Sequence, residues 1–275
     1  MILHADCLSP ALRFAGEGAD VQIVDPPYSE RVQSRAVSTR TDGAGPRSRD
    51  LGFASLSPEL MIRICEYAAQ VRRWTAVFTD IESVSDWGRC LEAHGVQYIR
   101  AVPWVRWTQP QISGDRPPSG CEMIILAHRP GKKHWNGPGS LTHFHQKALR
   151  GSGKHPTEKP VDLTLALVSY LAAPGESVLD PCAGSGSTVL AARLLGREGI
   201  GLERRADWAD QASQRVETTG DLRQSRDSDR RDRFVADTRA EATTVPLPKA
   251  DDGSDVKTWE RAQRRLADAE TVEKK

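Results

Sequence analysis

Apolar positions along the chain fall in short runs broken by turn-forming residues, and their period alternates between that of a strand and that of a helix. Ile2 to Asp6 reads as a short strand ending in an acid, Leu8 to Phe14 as a brief helix, and Val21 to Val24 as a second strand. Pro58 to Val71 predicts an amphipathic helix with Leu60, Met61, Ile64, Tyr67 and Ala68 on one side. Trp74 to Thr79 predicts a strand and Ser85 to His94 a helix. Tyr98 to Trp107 and Cys121 to Ala127 predict two strands that pair antiparallel across a long Pro/Gly-rich loop. Strands alternating with helices place the chain in the α/β class. After Val216 the pattern stops: Glu217 to Lys275 alternates acids with arginines and is expected to be a disordered tail, with Val256 to Val272 as a terminal helix.

The densest signal is Val178 to Glu203. Val178 and Leu179 end a buried strand, Asp180 and Pro181 stop it, and Ala183, Gly184, Ser185 and Gly186 form a tight turn. Ser187 and Thr188 stand where an N-cap is expected. Val189, Leu190, Ala191, Leu194 and Leu195 then recur at helical spacing until Gly196. A further strand, Gly199 to Leu202, delivers Glu203 about 20 residues past Asp180, the separation at which an acid accepts ribose hydroxyls in nucleotide-binding sheets. The turn lacks the lysine of a P-loop and the third glycine of a dinucleotide fingerprint. An acid ahead of the turn repels phosphate and suits a cationic ligand. A glycine turn made only for tight strand-to-helix packing is the competing reading.

Composition narrows this further. With 275 residues and 38% hydrophobic content, the chain can bury one sizeable core. No apolar stretch is long enough to span a bilayer, and the start of the chain has no basic-then-apolar segment. A soluble cytoplasmic protein without a signal peptide is expected, with no membrane partner. Cys7, Cys65, Cys90, Cys121 and Cys182 form no CxxC pair, which argues for a reducing compartment and against a zinc site or disulfides. The net charge is only +1, but Ala127 to Lys154 holds six lysines and arginines, four histidines and no acid, and Arg31 to Arg49 holds five arginines against one aspartate. Two such loops are either solvated surface or a local phosphate-binding face. The weak HxH spacing of the histidines gives no recognised metal pattern, so no metal is expected.

At the end of the second strand stands Asp25-Pro26-Pro27-Tyr28, whose prolines halt the ladder and hold the following backbone rigid. This DPPY resembles the catalytic tetrapeptide of the DNA amino-methyltransferases. Lys154-His155-Pro156-Thr157-Glu158-Lys159-Pro160, then LDPCAGSGST and GLE, resemble the cofactor half of that family. Tetrapeptide first and cofactor motifs last is the order of its β group. The resemblance implies a circularly permuted, Rossmann-like methyltransferase sheet, mostly parallel with one antiparallel strand and helices on both faces. It also implies S-adenosylmethionine as cofactor, double-stranded DNA as substrate, and a place in restriction-modification.

The domain reading that follows is a catalytic half (1–128), a short target-recognition insert (129–154), a cofactor half (155–216) and a charged tail (217–275). In the insert, His134, Trp135, His143, Phe144 and His145 among lysines suit unstacked bases and phosphates. So short an insert is compatible with a homodimer in which a second copy helps to hold the duplex. By resemblance, Asp25 and the Pro26 carbonyl accept the amino hydrogens of a flipped base, and Tyr28 either stacks on that base or simply packs. Asp180, Ala183, Gly184, Ser185, Gly186 and Thr188 line the methionine part, Glu203 binds the ribose, Asp6 and Cys7 border the adenine, and Asp25 adjoins the cofactor. Thr157 and Lys159 approach the methionine carboxylate, and His155 either joins them or caps the next helix. Aspartate at the head of the tetrapeptide favours adenine N6, with cytosine N4 as the alternative. A non-catalytic DNA-binding relative of the same fold is the reading from another class.

Overall fold

The computed structural model describes residues 1–33, 37–38, 47–48, 54–106, 119–139, 141–145 and 158–224. In chain order the elements are β1 (Ile2–His4), a 3-10 turn (Pro10–Leu12), β2 (Val21–Val24), α1 (Glu30–Gln33), β3 (Val37–Ser38), β4 (Arg47–Ser48), α2 (Pro58–Gln70), β5 (Trp74–Thr79), α3 (Val84–Ala93), β6 (Gln97–Val105), β7 (Cys121–His128), β8 (Phe144–His145), α4 (Val161–Leu171), β9 (Ser177–Asp180), α5 (Ser187–Leu194), β10 (Glu198–Glu203) and α6 (Ala206–Gln224).

Eight strands form one sheet in the order β1-β10-β9-β2-β5-β7-β6-β8. All are parallel to one another except β7, which runs antiparallel between β5 and β6. The expected antiparallel pair is present, with Val105 opposite Cys121 and Tyr98 opposite Ala127. Alternating side chains of β2 send Val21 and Ile23 to one face, under α4 and α5, and Val24 to the other, under α2 and α3. Both faces are therefore covered, which is why β2, β5 and β9 are buried along their whole length. Ser57 caps α2 by accepting from the Leu60 amide at 3.2 Å, and Pro58 occupies its first turn.

Four expectations need correction. The predicted helix over 8–14 is only a 3-10 turn over Pro10–Leu12, in which the chain closes i→i+3 bonds such as those from the Leu12 and Arg13 amides to the Ser9 and Pro10 carbonyls. The N-cap of α5 is Gly186, at φ +75°, and not Ser187 or Thr188; both of those are buried first-turn residues. Helix α6 continues past Val216 to Gln224, so the first residues assigned to the tail are helical. The aromatic residues of the proposed insert are largely structural. Trp135 lies edge-on to Trp74 and tilted against Tyr170, while Phe144 is buried, stacks on Tyr170 and belongs to edge strand β8. The remainder of the tail, its proposed terminal helix and residues 146–154 of the insert lie outside the described residues. No described helix is long and apolar enough to cross a membrane.

Close packing at the start of α5 generates a test. A Cβ on Gly201 of β10 would meet Ala183 Cβ and Ile2 Cδ1 at 2.8 Å and Val189 Cγ2 at 2.9 Å. Gly201→Ala should lower the urea midpoint by an amount equivalent to about 1–3 kcal/mol; an unchanged midpoint would show that these elements can separate freely.

Candidate active site

Two strand ends build the site. Strands β2 and β9 are parallel neighbours, with Gln22 opposite Leu179, so the chain leaves both at the same edge of the sheet and sets Asp25 beside the segment that begins at Asp180. Ligands in open α/β sheets bind outside the carboxyl ends of strands, and this pair meets that condition.

Asp25 does not stand alone. The Lys159 ammonium donates to both of its carboxylate oxygens at 2.7 Å and lies 3.5 Å from Glu122 on β7. Tyr28 donates its hydroxyl to Glu122 at 2.5 Å, Arg106 donates to the same carboxylate at 3.0 Å, and Lys159 sits 5.2 Å from the ring centres of Tyr28 and Phe78. Burial dominates the titration of Asp25 and raises it despite the Lys159 charge. It also acts on Glu122, but there Lys159 and Arg106 together prevail and hold the carboxyl below its ordinary range. Lys159 is raised because its two acids outweigh desolvation, and the phenol of Tyr28 is driven up by burial and then by Glu122. The geometry places the Lys159 ammonium between the carboxyl groups of Asp25 and Glu122.

Lys159 was expected beside the methionine carboxylate; its described partners are the carboxyl groups of Asp25 and Glu122. Its backbone is fixed by the glycine turn: Ser187 Oγ donates to the Lys159 carbonyl at 2.9 Å, and Thr164 Oγ1 donates to the Ser187 carbonyl at 3.2 Å. Arg215 on α6 joins the same region, donating to the Ser185 carbonyl at 2.8 Å and pairing with Glu158 at 2.5 Å.

Opposite this cluster lies an acidic cradle. Gly184 and Gly186 have φ of +50° and +75°, which glycine adopts without strain. The Gly184 amide donates to Glu203 Oε2 at 3.0 Å and the Arg205 amide to Oε1 at 2.8 Å, which fixes the buried carboxylate at the end of β10 while each oxygen keeps a lone pair. Asp180 accepts from the Cys182 amide at 3.1 Å. Its burial and the nearby charges of Asp25 and Glu203 outweigh the hydrogen bonds from Cys182 and Thr188 and push it up to about 7. Asp6 at the next strand end accepts from the Leu8 amide at 2.9 Å, and Cys7 is buried beside Cys182. A buried acid among like charges is relieved by a bound cation. The residues thus fit a ligand that carries a sulfonium and an ammonium beside ribose hydroxyls.

Most of the expected site is brought together: Asp6, Cys7, Asp25 to Tyr28, Lys159, Asp180, the Ala183 to Gly186 turn, Thr188 and Glu203 occupy adjoining strand ends or the helix start between them. His155 and Thr157 lie outside the described residues. Sequence reasoning missed Glu122, Arg106 and Arg215. An acid near the head of the otherwise apolar strand Cys121–His128 was the available signal for Glu122; nothing local marked the other two.

Comparison with known proteins agrees with this geometry. A family model described as DNA methylase matches residues 72–214. The type II methyltransferase M2.DpnII of Streptococcus pneumoniae is 24% identical, over 79% of this chain and 89% of the relative. The crystal structure of an M1.HpyAVI complex with S-adenosylmethionine superposes with a TM-score of 0.62 at 25% identity, over 78% of this chain and 98% of that one. The cytosine-N4-specific PvuII DNA methyltransferase shares the fold, with a TM-score of 0.56 at 14% identity over 86% of this chain and 92% of that one. The site geometry and the extent of the family match lead to one conclusion: the chain belongs to the family of DNA methylases that modify adenine N6 or cytosine N4.

Proposed function

We propose that this chain transfers a methyl group from S-adenosylmethionine to the exocyclic N6 of an adenine flipped out of double-stranded DNA. The cofactor itself follows from family membership. The observation that carries the proposal is the placement of Asp25, at the end of β2, against the acidic glycine-turn cradle at the end of β9. The choice of adenine rests on the aspartate that heads the tetrapeptide.

Bound S-adenosylmethionine supplies an electrophilic methyl group on a sulfonium. The protein's part is to present the nucleophile. An exocyclic amino lone pair is delocalised into the ring and attacks poorly. Asp25, which retains acceptor capacity beyond its two bonds to Lys159, takes one amino hydrogen, and the Pro26 carbonyl takes the other. Both bonds draw the nitrogen toward tetrahedral geometry and aim its lone pair at the methyl carbon. As the new N–C bond forms and the S–C bond breaks, with its electron pair leaving on sulfur, the extra proton departs from nitrogen to Asp25 or to water. Positioning and fixed charge supply most of the acceleration. Glu122 and Lys159 keep Asp25 and Tyr28 in place while the base enters. Tyr28 provides the stacking surface, Asp180 and the turn hold the methionine part, and Glu203 holds the ribose. The segment 129–154 contributes phosphate contacts through its lysines and arginines, and a second copy of the chain supports the duplex.

Incubation with methyl-labelled S-adenosylmethionine and mixed-sequence duplex DNA, followed by nucleoside separation, should place the label in N6-methyladenine. Label in N4-methylcytosine would overturn the choice of base, and no label with cofactor binding intact would overturn catalysis by this chain. Asp25→Ala should lower the transfer rate by about 10²-fold or more while cofactor affinity falls far less, as expected for a group aligned on the reacting nitrogen. Equal losses of both, read by single-turnover kinetics and calorimetry, would contradict that role.

Asp180 sets a pH dependence. Its folded value of about 7 lies above the ordinary 3.8, so between these values the folded chain holds a proton that the unfolded chain has released. This contribution to stability is complete below the lower value and is lost as pH rises through about 7. Without cofactor, Asp180→Asn should remove that part of the decline, measured as the difference between wild-type and variant urea midpoints from pH 5 to pH 8. Parallel curves would show that Asp180 is not a buried acid.

A further inference from the structure

On the sheet face away from α4 and α5, helices α2 and α3 bring together three soft or borderline donors that the methyltransferase site does not use. Cys65 is buried on α2. Cys90 lies on α3, and His94, its C-cap residue, follows one turn later. One ligand atom from each of the three lies within 4.8 Å of the others, and Cys90 Sγ is 3.9 Å from His94 Nδ1. We propose that Cys65, Cys90 and His94 form a zinc site that ties α2 to α3.

The geometry needs little change to accept the ion. Zinc bound at about 2.3 Å to sulfur and about 2.0 Å to nitrogen gives tetrahedral edges of roughly 3.6–3.8 Å, so the donors close by about an ångström at most. Two thiolates and an imidazole, with no carboxylate in the set, select zinc over magnesium or calcium. His94 Nδ1 lies 2.8 Å from the Cys90 carbonyl, and the Cys90 thiol donates to the Met61 carbonyl at 4.0 Å. Loading therefore exchanges these bonds for metal bonds, moves the imidazole proton to Nε2 and releases the two thiol protons to solvent. Cys90 and His94 are partly exposed, so water can reach the fourth position. The expectation of no metal rested on the absence of CxxC spacing and on the weak HxH spacing of the histidines. Donors on two separate helices leave no such trace in the sequence.

The test uses the full chain, kept reduced with a phosphine that does not bind metal, stripped and titrated with Co²⁺. Saturation at one equivalent with a thiolate-to-cobalt charge-transfer band, loss of that band when Zn²⁺ is added, and a Zn²⁺ affinity weaker by about tenfold or more in Cys90→Ser and His94→Ala would support the site. Both variants alter partly exposed positions, and circular dichroism confirms their fold; Cys121→Ser serves as the control that keeps full affinity. Absence of a charge-transfer band, a band unchanged in Cys90→Ser, or binding without thiolate character, as a histidine site elsewhere would give, overturns the proposal.

Discussion

The site is built around the Lys159 ammonium, buried between the carboxyl groups of Asp25 and Glu122. Lys159 arrives from a segment 134 positions later than Asp25 and settles on both oxygens of that carboxylate, with Glu122 completing the cluster. The side chains are only 10%, 22% and 14% exposed, so each charge has lost most of its water and is tolerated because the others are present. The same contact joins the half of the chain that carries the Asp25-Pro26-Pro27-Tyr28 tetrapeptide to the half that carries the glycine turn.

The rest of the architecture serves that contact. Packing of α4 and α5 under the sheet fixes the backbone at Pro160 and Ser187, and the Ser187 hydroxyl then holds the Lys159 carbonyl. Arg215 ties α6 to Ser185 and Glu158 and so links the turn, the lysine segment and that helix. On one side of Asp25 the charges are balanced; on the other, Asp180 and Glu203 form an acidic hollow with no lysine among their described contacts. This asymmetry is the basis on which the proposal seats a neutral base on one side and a cationic cofactor on the other.

The strands and most of the helices were legible in the sequence, because buried parallel strands such as Trp74–Thr79 are continuous apolar runs and amphipathic helices such as Pro58–Gln70 show their period. The order of the strands came only through the family resemblance. Placing β1 beside β10 and β2 beside β9 requires pairings between distant segments that no local pattern encodes. The DPPY residues were found through the family resemblance, and the glycine-turn residues because their types are dictated by local backbone chemistry. The partner of Lys159 was not, since a lysine in a motif does not reveal which of several acids it will meet. Trp135 and Phe144 looked like ligand-binding aromatics by composition, yet packing against Trp74 and Tyr170 decided their role. Gly186 displaced the serine expected at the cap because the turn needs a positive φ there, a requirement only glycine meets without strain.

The most direct measurement is the stability of Lys159→Met at neutral pH without cofactor, beside that of the triple variant Lys159→Met, Asp25→Asn, Glu122→Gln. If the lysine neutralises two buried acids, the single change should cost about 3–5 kcal/mol, and the triple variant, which removes all three charges, should regain much of that loss. A single variant within about 0.5 kcal/mol of wild type, the range of an ordinary surface substitution, would show that the two halves of the site do not depend on this ion cluster.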